Sequence, residues 1–228
     1  MKKGIPVAKR ELRGMITAWF VLLILAACLN TSTAWAQARP TLLVMGDSLS
    51  AAYGIEQAQG WVTLLAERLD EQAKVINASI SGETTTGGAQ RLPALVGQYD
   101  PDIVLLELGG NDGLRGLPPG RMRANLAEMI ETSQQAGAKV ILLGIDIPPN
   151  YGQAYRDAFT TVFHDLAASY DLTLVPFLLE NVALKRRLMQ SDGIHPTAAA
   201  QPAILDNVWP ALAPFLEEQG IETALNQE

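Results

Sequence analysis

Ser48 stands in Gly46-Asp47-Ser48-Leu49-Ser50, directly behind a short apolar run at residues 41–45. A serine hydroxyl is a weak nucleophile until a neighbouring base takes its proton. The chain has two histidines, His164 and His195. His164 lies within a helical stretch beside Asp165 and reads as a surface or half-buried helix residue. His195 lies in Asp192-Gly193-Ile194-His195-Pro196, a loop ahead of a helix. One tight turn can bring the Asp192 carboxylate to its imidazole, fixing the tautomer and stabilising the imidazolium that forms during attack. Acyl transfer also needs donors for a developing oxyanion. Asn111, in Gly109-Gly110-Asn111-Asp112, offers an amide; Gly82, in Ile80-Ser81-Gly82-Glu83, offers an unshielded N–H; Ser48 offers its own. Each block alone could be an ordinary turn. Their joint occurrence, with the first three each following an expected strand, is what points to nucleophilic catalysis.

The elements that must hold these residues alternate along the chain. Apolar runs at 41–45, 102–108, 139–143 and 172–175, with an extended segment at 74–77, predict strands. Apolar residues at helical spacing predict helices at 61–69, 90–96, 121–136, 153–169 and 196–217. Strands without polar alternation, separated by helices, indicate a parallel sheet covered on both faces. The expected fold is α/β, a three-layer sandwich around a flavodoxin-like five-stranded sheet in the order 2-1-3-4-5. A (β/α)₈ barrel does not fit in this length. In open parallel sheets reactive groups gather at the carboxyl ends of the strands near the point where strand order reverses. The loops carrying Ser48, Gly82 and Asn111 would be neighbours there.

Four blocks, Gly46-Asp47-Ser48-Leu49, Ser81-Gly82-Glu83-Thr84, Gly109-Gly110-Asn111-Asp112 and Asp192-Gly193-Ile194-His195-Pro196, resemble the signature blocks of the SGNH (GDSL) hydrolase superfamily. The resemblance covers residues 40–217. It is nearest to the bacterial periplasmic multifunctional thioesterase I/protease I/lysophospholipase L1 enzymes, also known as arylesterases. It implies the SGNH hydrolase fold, a Ser48-His195-Asp192 triad, an oxyanion site of Ser48, Gly82 and Asn111, and hydrolysis of acyl esters and thioesters. It also implies an acyl groove flanked by residues 114–119 and 145–152, with Leu114, Leu117, Ile145, Ile147, Pro148, Asn150 and Tyr151 as substrate-binding candidates. Two other readings stay open: a carbohydrate O-deacetylase of the same superfamily, and a non-catalytic periplasmic lipid-binding protein on the same fold. The chain contains no Gly-x-Ser-x-Gly elbow, no glycine-rich phosphate loop and no His-Glu-x-x-His. No cofactor and no metal are expected, and the expected state is a monomer.

The first 36 residues read as an export signal. Lys2, Lys3, Lys9, Arg10 and Arg13 make a basic start, residues 15–29 are an uncharged apolar run, and Ala34-Trp35-Ala36 supplies small residues for cleavage. That run is short for a bilayer, which asks for roughly 20 apolar residues. Leu25-Ala26-Ala27-Cys28 also resembles a lipobox, so a lipoprotein anchored through Cys28 is the alternative to soluble export. Domain boundaries are therefore expected at 1–36 for the signal and 37–228 for the hydrolase. Of 17 basic and 24 acidic residues, the signal removes five and one, leaving 12 against 23 and a charge of −11. So acidic a protein repels phosphate backbones, which argues against nucleic acid as a partner. A small acyl ester or thioester is the expected partner, with membrane contact only through a lipid substrate or a lipidated Cys28. Cys28 is the sole cysteine, so no disulfide supports the mature chain.

Overall fold

The computed structural model describes residues 39–221 and 223. The expected export segment, with its Cys28 alternative, lies outside the described residues.

Five strands, β1 (Thr41–Gly46), β2 (Lys74–Asn77), β3 (Ile103–Glu107), β4 (Lys139–Leu143) and β5 (Thr173–Val175), form one parallel sheet in the order β2-β1-β3-β4-β5. The expected fold class and strand order are therefore observed. Leu42, Leu43, Val44, Ile103, Val104, Leu105 and Leu106 are buried throughout, because β1 and β3 are central strands covered on both faces. Six helices complete the described unit: α1 (Trp61–Leu69), α2 (Thr85–Tyr99), α3 (Gly110–Leu114), α4 (Pro119–Gln135), α5 (Gln153–Tyr170) and α6 (Gln201–Glu218). α1 packs on α6 on one side of the sheet, and α2, α4 and α5 pack in a row on the other.

Helices differ from the sequence expectation in three places. α2 begins five residues before the expected start at 90, although its first turns hold Gly87 and Gly88. Glycine is required there by close approach: a Cβ on Gly88 would lie 2.4 Å from a Leu108 methyl. Gly109-Gly110-Asn111-Asp112 opens the short helix α3 rather than a plain turn. Its Asp112 is buried and accepts from the Thr85 amide at 2.8 Å and the Thr85 hydroxyl at 2.6 Å, pinning α3 to the start of α2. α6 begins at Gln201 rather than at 196, because Pro196 bridges back to Met189 and a 3₁₀ turn, Ala198–Ala200, intervenes. Gln201 is itself buried, and its side-chain oxygen accepts the first amide of α1, from Trp61, at 3.0 Å.

Candidate active site

Ser48 sits on the turn that leaves β1, next to the point where strand order reverses between β1 and β3. The turn closes tightly: the Ala51 amide donates to the Asp47 carbonyl at 3.0 Å. Gly46 is necessary for this closeness, since a Cβ there would lie 2.6 Å from Glu107 Oε2 and 2.8 Å from Ser50 Cβ. Asp47 is buried beneath the turn. Its carboxylate accepts from the Leu49 amide at 3.0 Å and from the Asn111 side-chain amide at 2.9 Å. Burial is the main influence on Asp47 and pushes its carboxyl up to about 6, against those hydrogen bonds. Glu107, at the end of β3, is fully buried and accepts from the Asp47 amide at 3.1 Å and the Ser50 hydroxyl at 2.8 Å. Burial, and then the charge of Asp47, push its carboxyl well above the usual range.

The far end of the chain brings an imidazole to Ser48. Residues 189–196 fold back on themselves: Gln190 donates its amide to the His195 carbonyl at 2.7 Å, and the Gly193 amide donates to Gln190 at 3.0 Å. The Gln190 side chain donates to the carbonyls of Tyr53 at 2.8 Å and Pro196 at 2.9 Å, tying this loop to the one after β1. Inside the fold-back, one Asp192 oxygen accepts from the amides of Ile194 at 2.9 Å and His195 at 3.0 Å. The other lies 2.6 Å from His195 Nδ1. Partial burial opposes ionisation of Asp192, but the His195 ring and these two amides outweigh it and hold the carboxyl down at about 2. His195 Nε2 lies 2.9 Å from Ser48 Oγ, and the Tyr53 ring leans on the imidazole with centroids 4.3 Å apart. With Nδ1–H directed to the ionised Asp192, Nε2 is left as the acceptor for the serine proton. His164, the other histidine, is exposed on α5.

A cavity of about 360 Å³ opens beside Ser48 and Asn111. Leu114, Ile145, Ile147 and Pro148 line it, as the sequence suggests. Leu117, Asn150 and Tyr151 do not. The Tyr151 hydroxyl donates instead to the Leu114 carbonyl at 2.7 Å, the Leu117 carbonyl accepts from Tyr155 at 2.7 Å, and Asn150 is exposed in the turn Pro149–Tyr151. These three brace the wall from behind or outside. The remaining wall comes from the long connection after β5, with Phe177, Leu179, Leu184, Met189 and Ile194, none of which the sequence singles out as substrate-binding. Arg156 also reaches the cavity, ion-paired with Asp146 and donating to the Ile147 carbonyl at 2.8 Å. Sequence reading likewise missed Asp47, Glu107 and Gln190. An acidic residue at the closing end of an apolar strand was the available signal for Glu107.

Gly82 lies on the exposed loop after β2, outside the cavity wall. The Ile80 amide ties that loop to the Gly46 carbonyl at 3.1 Å, and Arg115 ties it to α3 by donating to the Gly82 carbonyl at 2.9 Å. Among the described residues, the amides of Ser48 and Gly82 donate to no acceptor. Asn111 has two amide hydrogens, and the contact with Asp47 uses one. No group of three or more metal-ligating side chains is present among the described residues.

Residues 44–202 match the GDSL-like Lipase/Acylhydrolase family. The chain belongs to this family. It is 53% identical over 195 residues to Esterase TesA of Pseudomonas aeruginosa, covering 84% of this chain and 96% of that one. It is 44% identical over 181 residues to Thioesterase 1/protease 1/lysophospholipase L1 of Escherichia coli strain K12, covering 79% and 87%. A crystal structure of the psychrotrophic esterase EstA from Pseudoalteromonas sp., inhibited by monoethylphosphonate, superposes with a TM-score of 0.74 at 46% identity, covering 78% of this chain and 98% of that one. The protein is thus a GDSL-like acylhydrolase, acting on ester-type bonds of small molecules.

Proposed function

We propose that the protein is an exported serine esterase and thioesterase that works through an acyl-enzyme on Ser48. The observation that carries this reading is the continuous relay from Asp192 to His195 to Ser48, at 2.6 and 2.9 Å, beside an apolar cavity. His195 Nε2 takes the hydroxyl proton as Ser48 Oγ bonds to the acyl carbon. The carbonyl oxygen becomes an oxyanion, received by the Ser48 and Gly82 amides and the second hydrogen of the Asn111 amide. Collapse expels the alcohol or thiol, which leaves with the proton from His195. Water, deprotonated by the same imidazole, then attacks the acyl-enzyme and releases the carboxylic acid and Ser48.

Leu114, Ile145, Ile147, Leu179 and Met189 give the cavity an apolar wall, which suits an acyl chain better than acetate. That favours acyl esters, acyl-CoA-type thioesters and lysophospholipids over acetylated carbohydrate. The kinship with Esterase TesA and Thioesterase 1/protease 1/lysophospholipase L1 supports the same choice. A series of aryl esters from acetate to dodecanoate tests it: kcat/KM should rise beyond acetate, whereas a maximum at acetate would make the protein a deacetylase.

Export follows from the basic start, the apolar run and Ala34-Trp35-Ala36. The intact mass of the exported protein should correspond to a chain starting at Gln37. A lipidated Cys28 as first residue would replace soluble export by anchoring.

A further inference from the structure

Among the described residues, four large apolar side chains are prominently exposed: Tyr53 at 50%, Ile80 at 47%, Leu184 at 99% and Ile194 at 37%. Single exposed apolar residues are ordinary when scattered. These four are not scattered. Each lies on a loop leaving the carboxyl end of β1, β2 or β5, the edge of the sheet that carries the active site. Leu184 and Ile194 line the cavity, and Tyr53 rests on His195. Leu184 also begins the run Leu184-Lys185-Arg186-Arg187, in which all four residues are exposed. The three cationic side chains make no hydrogen bond or ion pair. In a chain of net charge −7 this is a local reversal of sign at the cavity mouth. The acids nearest in sequence are Glu180, which is exposed, and Asp192, which His195 engages.

We propose that this rim is a docking surface for an anionic phospholipid bilayer. Leu184, with Tyr53, Ile80 and Ile194, enters the boundary between headgroups and acyl chains, while Lys185, Arg186 and Arg187 meet the lipid phosphates. An exposed leucine flanked by unpaired cations matches such a surface in both respects, since apolar burial and attraction to anionic lipid add. A second copy of this chain is the competing occupant, and the test separates it from a bilayer. Docked in this way, the cavity mouth faces the membrane. The inference goes beyond the hydrolytic reading and is tested without it.

The test is co-sedimentation with large unilamellar vesicles of phosphatidylcholine containing 30% phosphatidylglycerol, all proteins carrying Ser48→Ala and the same N-terminus. The combined K185Q/R186Q/R187Q substitution should weaken partition about 100-fold, at about fivefold per cation, and most of this difference should vanish in 1 M salt. Leu184→Gln should weaken partition at every salt concentration. With Ser48 restored, the triple variant should hydrolyse a short water-soluble aryl ester at the parental rate, which shows that it is folded. Equal partition of parent and triple variant overturns the proposal. So does absence of vesicle binding by a parent that sedimentation velocity shows to be a dimer, dissociated by Leu184→Gln.

Discussion

Two kinds of carboxylate serve Ser48. Asp192 is held at about 2, so it is ionised at every pH at which the protein would work, and its charge does not switch. An acid limb of kcat/KM should therefore not originate from Asp192, whose carboxylate stays charged. Asp192 itself, with its folded-state carboxyl below the ordinary value of 3.8, adds stability that is present above about 4 and lost as pH falls toward 2. Asp47 has the opposite sign. Its folded-state carboxyl lies near 6, so its contribution is present below about 4 and lost as pH rises through 6. Asp47→Asn lacks that loss, so its stability relative to the parent should improve between pH 4 and 7, by at most about 3 kcal/mol. Denaturant melts at those two pH values read the difference. Asn111→Ala should lower kcat about 10²–10³-fold with little change in KM, because the contact strengthens only as the oxyanion forms. A change confined to KM would move Asn111 from transition-state stabilisation to ground-state binding. The juxtaposition of Ser48, His195, Asp192 and Asn111 was legible in the sequence because the proposed chemistry restricts residue type at those positions, whereas Gly82 lies on the exposed loop outside the cavity wall. Asp47 and Glu107 were not legible, because a carboxylate next to a turn looks solvated until burial is known.

At the level of elements, apolar periodicity located the five strands within a residue or two, since central parallel strands are buried on both faces and leave uninterrupted runs. The same signal misjudged α2, whose glycines lower helix propensity but permit close approach to Leu108. It also missed α3, in which Gly109-Gly110-Asn111-Asp112 carries turn chemistry while Asp112 and Thr85 lock a helical turn. The β1 turn depends on its glycine. Gly46→Ala must push Glu107 and Ser50 apart, so it should reduce kcat and lower Tm together, even though alanine adds one methyl group. An unchanged Tm would show that the turn has slack that the close contacts exclude. Half of the cavity wall escaped the sequence for a related reason: Phe177, Leu179 and Met189 lie in an irregular connection, and no periodicity assigns such residues a face.

For the whole molecule, one sheet brings together loops separated by up to 147 positions, the interval between Ser48 and His195. Parallel pairing places the carboxyl ends of β1, β2 and β3 side by side, and the return of the chain through β5 carries Asp192 and His195 to the same edge. A packed core keeps that edge in register. Leu105, fully buried at the centre of β3, should cost about 2–5 kcal/mol on truncation to alanine. Because Leu105 is remote from the reacting atoms, the variant's activity per folded molecule should persist below its melting temperature.

The most direct test of the account is covalent. The protein incubated with a fluorophosphonate near pH 8 should gain one phosphonyl group, located by peptide mass on Ser48, and the adduct should fail to form in Ser48→Ala and form far more slowly in His195→Ala. An unmodified Ser48, or equal labelling with and without His195, would contradict a serine activated by that imidazole.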